Sequence, residues 1–295
     1  MKEAVIWEKT AGRPGPTVWV TAGLHGDEPG GVVVAGKIIK YFQKNPLLRG
    51  RLFILPAANV WGLKNKTRFF NKEKEDLNRS FPGRVNGSPA QKAAWAIFRE
   101  ITAAKPDLII DLHNDWPESI PYLVLEAPEV FPIPGNFLKT TTIAKTASLI
   151  IVREKNSTKE IRTAHQTLSG ALTAKNFNAF VLELGEYKKL NPKNIATGVR
   201  AVKNILVGLK MISGRKPIRL ARIFNYGDEP KAPTAGSVKF SVKAGQKVRT
   251  GQKFAVIEKD GIKKEMFVSR PAIVLGLTDR KKIEAGEEII ALAEF

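Results

Sequence analysis

The stretch Thr17-Val18-Trp19-Val20-Thr21-Ala22-Gly23-Leu24-His25-Gly26-Asp27-Glu28 joins a β-branched, aromatic run to a glycine-punctuated turn carrying a histidine and a glutamate three residues apart. Such a run reads as a buried strand, so His25 and Glu28 fall at its exit. A second apolar run, Asp107-Leu108-Ile109-Ile110-Asp111-Leu112, leads directly into His113. Two strand ends can thereby bring imidazole, carboxylate and imidazole together. That is the protein donor set of a catalytic zinc, with the fourth position left for water. His25, Glu28 and His113 are the candidate metal ligands, holding one Zn2+ per chain.

Further strand-like runs at 51–57, 122–126, 148–153 and 179–184 alternate with helix-like segments, which places the chain in the α/β class. The best-marked helix spans 89–104. Ser88 is its N-cap, Pro89 occupies the first helical position, and Gln91 completes a capping box. A second helix is expected over 191–212, and a third over Thr158 to Lys175 carries His165 as a surface residue. The run Ser213-Gly214-Arg215-Lys216-Pro217 contains both a helix stop and a domain boundary, dividing the chain into 1–215 and 216–295.

The chain of 295 residues is 43% hydrophobic and 26% charged, which suits a globular protein with a sizeable core and excludes a largely disordered one. No apolar run reaches bilayer-spanning length, and the N-terminus does not read as a signal peptide, so a cytoplasmic protein without membrane partners is expected. With no cysteine, disulfides and thiolate ligands are excluded, and a metal site is limited to histidine, carboxylate and water. The formal charge of +20 raises the question of nucleic acid. The excess is spread: the stretch from Lys216 carries 16 basic and 10 acidic residues, and the first 215 residues hold the remaining +14. Without a dense arginine run or an aromatic RNA-binding motif, nucleic acid is not the expected partner. Such a field would instead draw anionic substrates toward a cleft.

Asp76-Leu77-Asn78-Arg79-Ser80-Phe81-Pro82-Gly83 and Val181-Leu182-Glu183-Leu184-Gly185 extend the two histidine motifs into an ordered series. The series resembles the succinylglutamate desuccinylase and aspartoacylase family, relatives of the zinc carboxypeptidases. The resemblance implies a zinc-carboxypeptidase-like mixed sheet flanked by helices, with His25, Glu28 and His113 on zinc. It also implies Glu183 as general base, Asn78 and Arg79 as a clamp for a substrate carboxylate, and Arg68 as the arginine that polarises the scissile carbonyl. The stretch from Arg68 to Asp76 is about three residues longer than the family pattern. Glu186 is the rival base, although it lacks the Glu-Leu-Gly context of Glu183. Asp76 is placed to accept the second ring N–H of His25, and either Asp111 or Asp115 could neighbour His113. Arg153 and Arg162 fall where the family draws further contacts, but no motif selects either.

Beyond residue 215, Val248-Arg249-Thr250-Gly251-Gln252-Lys253-Phe254-Ala255-Val256-Ile257 recurs 35 positions later as Ile283-Glu284-Ala285-Gly286-Glu287-Glu288-Ile289-Ile290-Ala291-Leu292. Preceded by Ala232-Pro233 and Arg270-Pro271, these halves resemble the biotinyl/lipoyl-type barrel, a smaller all-β unit that many members of the family carry. Gly261 stands where a carrier lysine would be, with Lys259 nearby, so a structural unit covering or bordering the cleft is expected rather than a carrier.

Gly31-Val32-Val33-Val34-Ala35-Gly36-Lys37 has P-loop spacing, but Ile38 replaces the required Ser or Thr and the insert is apolar, so it reads as a buried helix after Glu28. There is no G-x-S-x-G elbow. The expectation is therefore a zinc-dependent amidohydrolase of small anionic N-acyl amino acids acting by metal-activated water. A carboxypeptidase acting on peptide C-termini and a catalytically inactive basic binding protein are the alternatives. The sequence leaves the oligomeric state open, a homo-oligomer included.

Overall fold

The computed structural model describes residues 5–215, 222–227 and 230–295. The chain runs β1 (Trp7–Thr10), β2 (Thr17–Ala22), α1 (Pro29–Lys44), β3 (Arg51–Leu55), α2 (Val60–Asn65), α3 (Pro89–Ala103), β4 (Leu108–Asp115), β5 (Glu118–Ser119), β6 (Tyr122–Leu125), α4 (Pro134–Ala144), β7 (Ile150–Arg153), α5 (Thr158–Ala164), α6 (Leu168–Ala174), β8 (Ala179–Glu186) and α7 (Pro192–Gly208). Then come β9 (Ile223–Tyr226), β10 (Gly236–Phe240), β11 (Lys247–Val248), β12 (Lys253–Lys259), β13 (Ile262–Phe267), β14 (Ala272–Leu277), β15 (Lys282–Ile283) and β16 (Ile290–Glu294). Among the described residues no helix is long and apolar enough to cross a membrane.

The expected α/β architecture is present. One mixed sheet has the order β1-β3-β2-β4-β8-β6-β7-β9-β16-β14-β11. Its centre, β3-β2-β4-β8, is parallel. β2 is buried at every position, as a parallel strand covered on both faces must be. On one face α1, α4 and α7 enclose Val34, Ile38, Phe42, Val202, Ile205 and their neighbours. On the other, α3 and α6 pack Ala94, Ile101, Leu168 and Leu172 around Trp19. The Gly31 segment is the N-terminal turn of α1, with Val34 and Ala35 buried. A Cβ at Gly31 would stand 2.7 Å from the Leu112 carbonyl oxygen, so the glycine lets α1 lie close against β4.

Helix α3 carries the predicted capping box, with Ser88 Oγ accepting from Gln91 N and the Gln91 side chain accepting from Ser88 N. Two expected helices differ from their sequence reading. The helix over 158–175 is two, because Thr167 Oγ1 accepts from Gly170 N and starts α6 anew. A Cβ at Gly170 would meet the Ala164 carbonyl oxygen at 2.1 Å, so the turn between α5 and α6 is as tight as glycine permits. The helix over 191–212 stops at Gly208, followed by Lys210 in the left-handed region at φ 57°.

The C-terminal repeat is real in three dimensions. A short strand, a left-handed glycine and a longer strand occur twice, as β11-Gly251-β12 and β15-Gly286-β16, with Val248 and Ile283 buried equivalently. The four-stranded sheet β13-β12-β10-β15 closes over β11, β14 and β16 around Phe254, Ile257, Val274 and Ile290. Asp260 and Gly261 both have positive φ and form the two-residue turn between β12 and β13. A lysine at Gly261 would be strained.

The expected division at Lys216 lies outside the described residues. The main sheet runs across it: β9 pairs in parallel with β7 and antiparallel with β16. β5 pairs with β14, and Gly276 lies so close to Trp116 that a Cβ would meet the Trp116 Cβ at 2.5 Å.

Candidate active site

The turn after β2 and the end of β4 converge at one end of the sheet. Glu28 is the residue before α1, where the helix N-terminus favours a negative charge. Its Oε1 lies 2.6 Å from His25 Nδ1 and its Oε2 2.8 Å from His113 Nδ1 and 3.0 Å from the Asn114 amide N. His25, Glu28 and His113 are all buried, and one donor atom from each falls within 4.8 Å of the others. The opposite ring nitrogens are also engaged. His25 Nε2 lies 3.2 Å from Asp76 Oδ1, and His113 Nε2 lies 3.0 Å from Asp111 Oδ2. Between the two aspartates left open by sequence, Asp111 is therefore the neighbour of His113, while Asp115 accepts a hydrogen bond from the Tyr122 hydroxyl.

This donor set suits a divalent cation. Each imidazole turns Nδ1 toward the shared carboxylate and hands its other nitrogen to a second carboxylate, which fixes tautomer and ring orientation as outer carboxylates do for metal-bound histidines. Burial favours a protonated Glu28, but the charges and hydrogen bonds of His25 and His113 outweigh it and hold this carboxyl far below the usual range. Burial works against a charged His113, yet Asp111 and Glu28 hold its pKa well above the ordinary value. The His113 ring thus sits in a field that favours positive charge.

Glu183 is the rung partner of His113 on the adjacent parallel strand, so its carboxyl opens onto the same face. Its Oε2 is buried without a hydrogen-bond partner. Burial, reinforced by Asp115 and offset in part by His113, raises its pKa well above the usual range. Glu186 accepts from Asn191 Nδ2 at 2.8 Å and does not line the cleft. Burial, opposed by the Tyr122 hydrogen bond and reinforced by Glu28, pushes Asp115 up to about 6.

Arg68 donates through Nε to Asp76 Oδ2 at 2.9 Å, and its Nη1 reaches within 3.4 Å of His25 Nδ1 and 3.8 Å of Glu28 Oε1. The extra residues between Arg68 and Asp76 loop outward. Phe70 N donates to the Glu75 carbonyl at 2.7 Å and Lys74 N to that of Asn71 at 3.2 Å, with Lys74 at φ 57°. The insertion closes on itself, and Arg68 and Asp76 meet across its base. The Asp76 carboxyl, despite partial burial, is held well below the usual range by His25 and Arg68.

Asn78 and Arg79 both line the cleft. Asn78 Oδ1 accepts from Leu168 N at 2.8 Å, leaving its amide nitrogen turned toward the His113 ring, 3.5 Å from Nε2. Arg79 donates to the Asn78 carbonyl at 2.8 Å. His165 is exposed at the end of α5, and Arg153 bonds Asn225; neither lines the cleft, nor does Arg162.

The cleft holds about 420 Å3, and among the described residues its wall comes entirely from residues between His25 and Glu183. Contrary to expectation, no barrel residue is among the described residues that line it. Sequence reading missed Glu126 and Ser169, which line the cleft as a hydrogen-bonded pair, and Glu160 on α5. The available signal was a lone carboxylate at position 126, ending an otherwise apolar strand.

A mixed α/β sheet thus brings a buried His-Glu-His cluster, a group that could hold a metal ion, before a second glutamate. The catalytic-domain profile of the succinylglutamate desuccinylase/aspartoacylase family matches residues 14–209, and the chain belongs to that family. It is 33% identical over 100 residues to the N-alpha-acetyl-L-2,4-diaminobutyric acid deacetylase of Halomonas elongata, a match covering 34% of this chain and 29% of that protein. It is 26% identical over 231 residues to the succinylglutamate desuccinylase of Burkholderia orbicola, covering 72% of this chain and 62% of that protein. Both matches thus span less than two thirds of these curated relatives. A succinylglutamate desuccinylase/aspartoacylase from Rhodobacter sphaeroides superimposes with TM-score 0.82 at 21% identity, over 98% of this chain and 88% of that one. An ectoine utilization protein from Ruegeria pomeroyi does so with TM-score 0.83 at 19% identity, over the same shares. At these identities the likeness is one of fold.

Proposed function

We propose that the protein is a zinc-dependent hydrolase of the amide bond in N-acyl amino acids, with one metal held by His25, Glu28 and His113. The observation that carries this reading is the position of Glu183. An unpartnered carboxyl oxygen sits one rung from the His-Glu-His cluster, in a cleft that also presents Arg68, Asn78 and Arg79.

A divalent cation on these ligands would polarise the scissile carbonyl and acidify the attacking water. The rest of the chemistry falls to the chain. Glu183 takes the proton from that water and returns it to the departing amine nitrogen, and a carboxyl with a raised pKa is suited to carrying a proton between the two steps. Arg68, tethered by Asp76, directs its guanidinium toward the charge that develops on the carbonyl oxygen. Asn78 Nδ2 and the Arg79 guanidinium hold the free carboxylate of the amino acid, the arginine by a bidentate pair.

Zinc-loaded protein, assayed for amine release from a panel of Nα-acetyl and Nα-succinyl amino acids and from a blocked dipeptide, tests this reading. Chelator-sensitive release from the acyl amino acids supports it. Release from the peptide alone would assign the cleft to a carboxypeptidase, and no release from either would leave a binding protein.

A further inference from the structure

Glu126 follows β6 and continues its alternation. Leu123 and Leu125 turn into the core beneath α1 and α7, whereas Val124 and Glu126 line the cleft. The Glu126 residue is only 7% exposed. One carboxyl oxygen accepts from Ser169 Oγ at 2.7 Å. Burial raises its pKa against the Ser169 hydrogen bond, and among the described residues no cationic side chain forms an ion pair with it. A buried acid without a counter-charge is a destabilising choice where glutamine or leucine would fill the space. On the wall of a substrate cleft it becomes intelligible if the ligand brings the missing charge.

We propose that Glu126 and Ser169 form a cation subsite that receives the terminal ammonium of the substrate's side chain, making Nα-acyl derivatives of lysine-like amino acids the preferred substrates. The inference rests on the deacylase reading above and deepens it. Ser169 adjoins Leu168, whose amide holds Asn78 Oδ1, so the subsite lies on the carboxylate-clamp side of the cleft, where the amino-acid half binds. The spacing sets the length. Tyr122 is the rung partner of Glu183, and Glu126 lies four residues further along the chain, about 13 Å at about 3.3 Å per residue. An extended Nα-acyl-lysine spans about 9 Å over the seven bonds from the scissile carbon to Nζ. One hydrogen bond of about 2.8 Å beyond that gives about 12 Å, and the Glu126 side chain covers the remainder of that backbone separation.

The test compares kcat/KM for Nα-acetyl-L-lysine, its neutral analogue Nα-acetyl-L-norleucine, which lacks the terminal ammonium, and the acidic Nα-acetyl-L-2-aminoadipate on zinc-loaded wild-type and Glu126→Gln proteins. Wild type should favour lysine over norleucine by about 10–100-fold, the worth of a charge-assisted hydrogen bond, and the ratio should fall to near unity in Glu126→Gln. Equal rates in wild type, a preference for aminoadipate, or an unchanged ratio in Glu126→Gln would overturn the subsite. If Glu126→Gln does not fold, the wild-type ratios decide by themselves. If wild type hydrolyses none of the three, the deacylase reading fails separately and calorimetry of the same ligands decides the subsite. Tighter binding of the lysine than the norleucine compound supports it, and equal or undetectable binding refutes it.

Discussion

Replacing Glu183 by glutamine separates catalysis from stability in opposite directions. The carboxyl is one rung from His113, its Oε2 is buried without a partner, and burial together with Asp115 raises its pKa well above the usual range. Glutamine keeps the shape and one acceptor but cannot take a proton from water, so turnover by zinc-loaded protein should fall by roughly 10²–10⁴ with zinc retained. Stability should move the other way in chelator-treated protein. Below the ordinary glutamate value both folded and unfolded states hold this proton, and the group contributes nothing to the pH dependence. Above it the unfolded chain releases the proton while the folded chain keeps it, so wild-type stability declines with pH until the folded pKa is reached. The limiting slope for one proton is about 1.4 kcal/mol per pH unit. Glu183→Gln removes that slope, and its advantage over wild type should widen as pH rises. Urea unfolding of both proteins at several pH values between about 5 and 8, paired with amine-release kinetics, measures both halves. Near-normal turnover in Glu183→Gln, or a stability difference that is flat across this range, would refute the placement of a buried titrating base here.

Substituting His113 by Ala removes the Nδ1 donor facing Glu28, and elemental analysis should find the tight zinc lost; undiminished zinc would reassign the ligands. The raised pKa of His113 means that metal and proton compete for the ring, so zinc affinity measured by competition with a chelating dye should weaken as pH falls, by up to about tenfold per unit for each proton displaced. A pH-independent affinity would remove His113 from the ligand set. Arg79→Ala should lower kcat/KM by about 10²-fold for a substrate with a free α-carboxylate and cost little more when that carboxylate is amidated, because both changes delete one interaction. Full additivity in that cycle would show that Arg79 holds some other group.

Much of the centre was legible because its signals are local. His25, Glu28 and His113 stand at exits of strands whose apolar runs announce themselves, and the Ser88 capping box is a pattern of four residues. What escaped depends on registers between distant segments. Asp111 rather than Asp115 backs His113 because the ladder shifts register between His113 and Asp115 and the Tyr122 hydroxyl takes Asp115, and neither is visible in the linear order. Glu126 looks like a strand-ending charge until Ser169, 43 residues away, is placed against it. The break between α5 and α6 hinges on Thr167 and Gly170 acting together, where each alone is tolerated in a helix.

The continuity of the main sheet bears on how fast the cleft can open. β9, β16 and β14 extend the same hydrogen-bonded ladder that carries His113 and Glu183, and β5 ties β14 to the segment following Asp115. Swinging the barrel aside as a rigid flap would break several of these bonds, at about 1 kcal/mol net for each, before any packing is lost. The wall between β7 and α6, which supplies Glu154, Lys159, Glu160 and Thr163 to the cleft, is secured by no sheet pairing beyond β7. On the proposed function, substrate passing that short helical wall would meet motions in the nanosecond-to-microsecond range of loops, faster than the hinge motion of a domain.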